Sequence, residues 1–140
     1  LGDHCMLVDH CCSGHSNSLR QCYRANAFKT AELTANKLGL SQEMCRTSFQ
    51  SRVSAIGPKW LTPYTSDELK NGPNNGIRDI VVVCPSFICD CLETLFEIDI
   101  EGRQMFSESG GQSFRFVPCL NDNSDFIGCM EKIVSELLAT

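Results

Sequence analysis

The chain has 140 residues, 42% of them hydrophobic, enough material for one domain with its own core. Its formal net charge of −5 and pI near 5.1 argue against nucleic acid as a partner, because a phosphate backbone requires a basic face that this sequence lacks. No apolar run approaches the roughly 18 residues that span a bilayer and no charged-then-apolar leader is present, so the chain reads as soluble.

Residues 1–22 hold Cys5, Cys11, Cys12 and Cys22 among Gly, Ser, Asn, Asp and all three histidines. So few apolar residues cannot fold this segment alone, and order here requires a metal or a cross-link. The C-x5-CC-x9-C spacing leaves zinc, an iron–sulfur cluster, and disulfides or free thiols all open. Six of the ten cysteines (Cys45, Cys84, Cys89, Cys91, Cys119 and Cys129) lie in or beside apolar segments, where reduced cysteine behaves as a small hydrophobe, so the expected compartment is reducing. The chain opens on Leu1 with no strand before the cysteines, the look of a fragment, so a longer protein is expected.

Ala25 to Leu38 carries Phe28, Ala31, Leu33, Ala35 and Leu38 at helical intervals and ends at Gly39, predicting a core helix. Thr47 to Val53 reads as a short strand that delivers Phe49, Gln50, Ser51 and Arg52 to a loop running through Gly57-Pro58 to Trp60. Alone, Trp60 is more naturally a packing residue than a ligand platform. Thr65 to Lys70 predicts a short helix, and Asn71 to Gly76 a turn region.

Ile80 to Val83 is a β-branched run closed by Cys84-Pro85, the pattern of a strand buried on both faces. Asp90 can cap a following helix, on which Asp90, Glu93, Glu97 and Glu101 fall within an arc of about 80° with no Lys or Arg between them. Like charges at i,i+4 cost roughly 0.2–0.5 kcal/mol per pair. The ladder is either a solvated face, helped by the helix N-terminus, or a path for a cation. Ser109-Gly110-Gly111 stops this helix. Phe114 to Val117 predicts another strand with Pro118 to Asn123 as its exit, and Ser124 or Asp125 opens a last helix striped by Phe126, Ile127, Met130, Ile133, Val134, Leu137 and Leu138. Alternating strands and helices predict an α/β fold, a parallel sheet flanked by helices, with the strand exits on one edge where open sheets bind ligands.

Cys84-Pro-Ser-Phe, Asp90-Cys-Leu-Glu-Thr and Glu97-Ile, together with Phe49-Gln-Ser-Arg, Trp60-Leu-Thr-Pro-Tyr-Thr and Pro118-Cys-Leu-Asn-Asp, resemble the C-terminal half of ferrochelatase, the enzyme that inserts ferrous iron into protoporphyrin IX. The resemblance covers almost the whole chain and keeps the family's order. It implies an incomplete, chelatase-like (Rossmann-like) C-terminal domain at 25–140, preceded by a cysteine-rich segment at 1–24. It implies that Glu93 is the active-site glutamate, that Glu97 and then Glu101 continue a path for iron or protons, that Trp60 lies by the porphyrin, and that Ser51 and Arg52 contact substrate. Ser54 departs from the glycine usual there, and a longer link precedes Trp60.

A narrower likeness, Gly-Asp-His-Cys5 with Cys11-Cys12 and Cys22-Tyr-Arg, resembles the [2Fe–2S] segment of some bacterial ferrochelatases, and implies that Cys5, Cys11, Cys12 and Cys22 hold such a cluster while His4, His10 and His15 do not. The family's histidine, in a Ser-x-His-Gly-Leu-Pro motif, is expected in a missing N-terminal half, the principal partner beside porphyrin and Fe²⁺. The isolated chain is therefore expected to be inactive. The implied location is the cytoplasm, with peripheral membrane contact left open. A different class of reading makes the chain a non-catalytic iron–sulfur or zinc module whose acidic helix is only surface.

Overall fold

The computed structural model describes residues 12, 21–50 and 60–139. It divides into two compact units, Leu1–Asn71 and Gly72–Thr140.

In the first unit, helix α1 spans Tyr23–Leu38 and ends where expected, at Gly39 in the left-handed region (φ 68°). The N–H groups of Gly39 and Leu40 donate to the Asn36 and Ala35 carbonyls, closing the helix end. Tyr23 and Phe28 bring their rings onto Phe49, at centroid distances of 6.3 and 6.0 Å, and Phe49 is buried at their meeting point. Phe49 is anchored through its backbone: its N–H donates to the Pro63 carbonyl, and its own carbonyl accepts from Thr65 N–H. Among the described residues, the expected strand at 47–53 is a single parallel bridge between Phe49 and Tyr64. Helix α2, Thr65–Asn71, follows and buries Leu69.

The second unit is a βαβ step. Strand β1, Asp79–Val82, pairs in parallel with β2, Ser113–Phe116, placing Ile80 opposite Phe114 and Val82 opposite Phe116. A π-helix, Glu93–Gly102, runs straight into α3, Arg103–Glu108, and together they make the crossover. The α/β class and parallel pairing match the sequence pattern. Burial of β1 on both faces does not: Val81 is 64% exposed, because the described sheet has two strands and Ile80 and Val82 face its covered side.

Ile98, Phe106 and Phe114 form the core of this unit, with the Phe106 and Phe114 rings 6.1 Å apart. Gly111 makes that packing feasible, since a Cβ there would sit 2.2 Å from two Phe106 ring carbons. Gly111→Ala is therefore expected to destabilise the protein by about 1–3 kcal/mol through overpacking. Urea unfolding of the full-length protein measures this, and an unchanged midpoint would mean that the ring has room to move. Helix α4, Ser124–Leu138, starts on Asn123, whose side-chain oxygen accepts from the N–H groups of Asp125 and Phe126. Its predicted apolar stripe is present but uncovered, with Ile127, Met130, Ile133, Val134, Leu137 and Leu138 all exposed.

Candidate functional site

The loops leaving β1 and β2 are tied together at their tips. Asp90 N–H donates to Asn121 Oδ1 and Asn121 Nδ2 returns a bond to Asp90 Oδ2, both at 2.8 Å. The other Asp90 oxygen accepts from Cys119 N–H at 3.2 Å and from the Thr94 hydroxyl at 3.0 Å. Asn121 also donates its backbone N–H to Ile88. Its φ of 48° is in the left-handed region that asparagine tolerates better than most residues. Asp90 is thus drawn into loop contacts rather than forming the first rung of the acidic ladder.

The hydrogen bond from Asn121, aided by Cys119, holds the Asp90 carboxyl below its ordinary value of 3.8 despite the opposing effect of desolvation. A carboxylate depressed on folding stabilises the fold above its unfolded pKa, and that contribution is lost as pH falls through the folded pKa. Asp90→Asn is expected to remove this part of the acid dependence. Unfolding midpoints compared between about pH 3 and pH 6 measure it, and an equally steep acid loss in the variant would assign the dependence to other groups.

Burial is the main influence on two neighbouring thiols, Cys84 and Cys119, each raised to about 11 with further help from Asp90. Both stay protonated at neutral pH and act as small packing groups rather than thiolates.

Cys91 begins the helix that follows: its N–H donates to Thr94 Oγ1 and its carbonyl accepts from Leu95 N–H. Thr94 is completely buried. The next ten residues, Glu93–Gly102, close i→i+5 bonds, where the sequence suggested an ordinary α-helix. The π form widens the turn beyond 3.6 residues, so a step of four falls just short of a full turn instead of just past it. Glu93, Glu97 and Glu101 therefore remain on one face. Glu93 and Glu97 are half-buried and Glu101 is exposed. The Cys91 thiol, and after it the backbone N–H of Glu93 itself, hold the Glu93 carboxyl below its ordinary value of 4.5, so it is ionised at neutral pH. Arg103, the first cation after the ladder, pairs with Asp99 and donates to the Phe114 carbonyl.

Of the other expected site residues, Trp60 lies in the first unit, 40% exposed, with its indole N–H donating to the Gln50 carbonyl at 2.7 Å. Ser51 and Arg52 lie outside the described residues, as do Cys5 and Cys11. The expected [2Fe–2S] cluster is overturned: among the described residues, no group of three or more His, Cys, Asp or Glu side chains is placed to hold a metal ion. The two described members of the set are engaged by the protein. Cys12 Sγ accepts from Arg24 Nη1 at 3.0 Å, and Cys22 is buried at the start of α1. The assignment to a cluster-bearing subgroup falls with it, as does the iron–sulfur character that the four-cysteine likeness implied. Sequence reasoning missed the Asp90–Asn121 link, although both residues stand in the quoted motifs.

No helix among the described residues is long and apolar enough to cross a membrane. The ferrochelatase family matches residues 3–138. A ferrochelatase of Opitutus terrae is 45% identical over 124 residues, 89% of this chain and 35% of the relative. One from Ectopseudomonas mendocina is 43% identical over 129 residues, 91% of this chain and 37% of the relative. A third, from Stutzerimonas stutzeri, is 40% identical over 135 residues, 96% of this chain and 39% of the relative. The chain thus spans between 35% and 39% of the length of these relatives. Matched along nearly all of its own length, it belongs to the ferrochelatase family.

Proposed function

We propose that this chain is the C-terminal part of an enzyme that inserts ferrous iron into protoporphyrin IX to form protohaem, a step of haem biosynthesis. The observation that carries the reading is the carboxylate ladder Glu93, Glu97, Glu101 on one face of a π-helix beginning just beyond a strand exit, in a chain matched by this family. The reaction exchanges two pyrrole N–H protons for Fe²⁺, so it needs anions to receive and desolvate the cation and a route for the protons. Glu93, ionised and first on the ladder, contacts iron at the porphyrin, while Glu97 and Glu101 pass iron inward or protons outward. Ferrous iron binds such ligands weakly by comparison with later transition metals, which suits transfer rather than storage.

Trp60 supplies a flat aromatic surface to the macrocycle, and Ser51 and Arg52 contact its periphery, by resemblance to the family. Residues 25–140 act as the chelatase-like domain and 1–24 as the cysteine-rich segment that precedes it. The remaining part of the full-length protein supplies the second wall of the porphyrin site and the histidine. The Cys84 and Cys119 thiols, kept protonated by burial, support a reducing, cytoplasmic setting. Anaerobic incubation of the full-length protein with ferrous iron and protoporphyrin IX tests the reading, with haem absorbance appearing as porphyrin fluorescence disappears. Unreacted porphyrin in the presence of both substrates would refute it.

A further inference from the structure

We propose that Asp90 and Asn121 are positioning residues for iron insertion: their reciprocal hydrogen bonds clamp the two strand-exit loops together and fix the start of the π-helix that carries Glu93. The proposal rests on the function just assigned. Three connections converge on the clamp. Asp90 backbone N–H donates to Asn121 Oδ1 and Asn121 Nδ2 donates to the Asp90 carboxylate, at 2.8 Å each, Asn121 N–H holds the Ile88 carbonyl at 3.0 Å, and Cys119 N–H holds Asp90 at 3.2 Å. The clamp then reaches the helix through a fully buried residue: Thr94 Oγ1 donates to Asp90 and accepts from Cys91 N–H, so the residues on both sides of Glu93 and Leu92 are held from one point.

Asp90 already accepts three hydrogen bonds, which leaves its carboxylate little capacity for a metal. Its part is to orient, not to ligate. Misplacement of a reacting group by about 1 Å can cost roughly 10²-fold in rate, so a clamp three residues from Glu93 bears directly on turnover.

The test uses the full-length protein with Asn121→Asp, Asp90→Asn, and the two combined. Aspartate tolerates the left-handed backbone of position 121, so Asn121→Asp sets two carboxylates against each other without forcing the chain. It is expected to lower kcat for haem formation by about 10–100-fold, with the porphyrin Kd changed less than about twofold and faster amide hydrogen exchange at Glu93 to Leu95. Asp90→Asn, nearly isosteric, should do the same to a smaller degree. The combined variant again sets an amide donor against a carboxylate and should recover most of the loss, a rescue that a general loss of stability would not produce. Haem formation by the unaltered protein together with unchanged kcat and exchange in both single variants would overturn the clamp alone. A combined variant no better than Asn121→Asp would also overturn it. No haem from the unaltered protein would instead overturn the function on which it rests.

Discussion

In the full-length protein, Glu93→Gln is expected to lower haem formation by about 10²–10⁴-fold while porphyrin still binds. The substitution keeps the size and shape of the side chain and removes its charge, so under the proposed function what is lost is the anion that meets iron and the acceptor for a pyrrole proton. The Cys91 thiol and, after it, the backbone N–H of Glu93 hold this carboxyl below its ordinary value, whereas glutamine carries no charge to stabilise. Glu97→Gln should do less, because one rung of a transfer path can be bypassed whereas the group at the macrocycle cannot. The split to measure is kcat against porphyrin Kd: loss in kcat with unchanged Kd marks a contribution made during the reaction rather than in binding. Near-normal turnover in Glu93→Gln would return the ladder to the solvated face that its spacing alone allows.

The isolated 140-residue chain is expected to bind porphyrin weakly, to self-associate and to form no haem. A site for a ligand of this kind buries about 70–90% of the ligand surface, and a carboxylate ladder on one helix cannot enclose, bend and desolvate a largely apolar macrocycle. The described surface also leaves apolar residues uncovered. Helix α4 buries none of its residues, and Leu137 and Leu138 are 70% and 83% exposed. Val81 and Val83 are likewise exposed, on and just beyond a strand whose composition is that of a sheet interior. Contiguous apolar surface and open strand edges promote association between copies. Sedimentation of the purified chain over a range of concentrations measures it, and a stable monomer that binds porphyrin tightly would contradict this view.

The parts of the fold that were legible in the sequence rest on local chemistry. Gly39 could be read as the end of α1 because a left-handed residue there needs no partner elsewhere, and the β-branched run at 80–83 with the Gly110-Gly111 stop delimits the βαβ step. The role proposed for Glu93 rests on the family motif, not on periodicity. The π-helix was not legible, because i→i+5 and i→i+4 bonding accept the same acidic and apolar spacing. Asp90 was misassigned to the ladder because its partner, Asn121, is 31 residues away, and no local pattern announces a bond across two loops. The four-cysteine likeness failed for a related reason. Thiol spacing says nothing about the burial of Cys22 beside α1 or the hydrogen bond that Arg24 gives to Cys12.

The most direct test is haem formation measured side by side for this chain alone, for the chain joined to the rest of the full-length protein, and for the joined chain bearing Glu93→Gln. With ferrous iron and protoporphyrin IX supplied anaerobically, the account predicts no haem from the first, sustained haem formation from the second, and near-background formation from the third. Robust iron insertion by the chain alone, or equal rates with and without the Glu93 carboxylate, would contradict it.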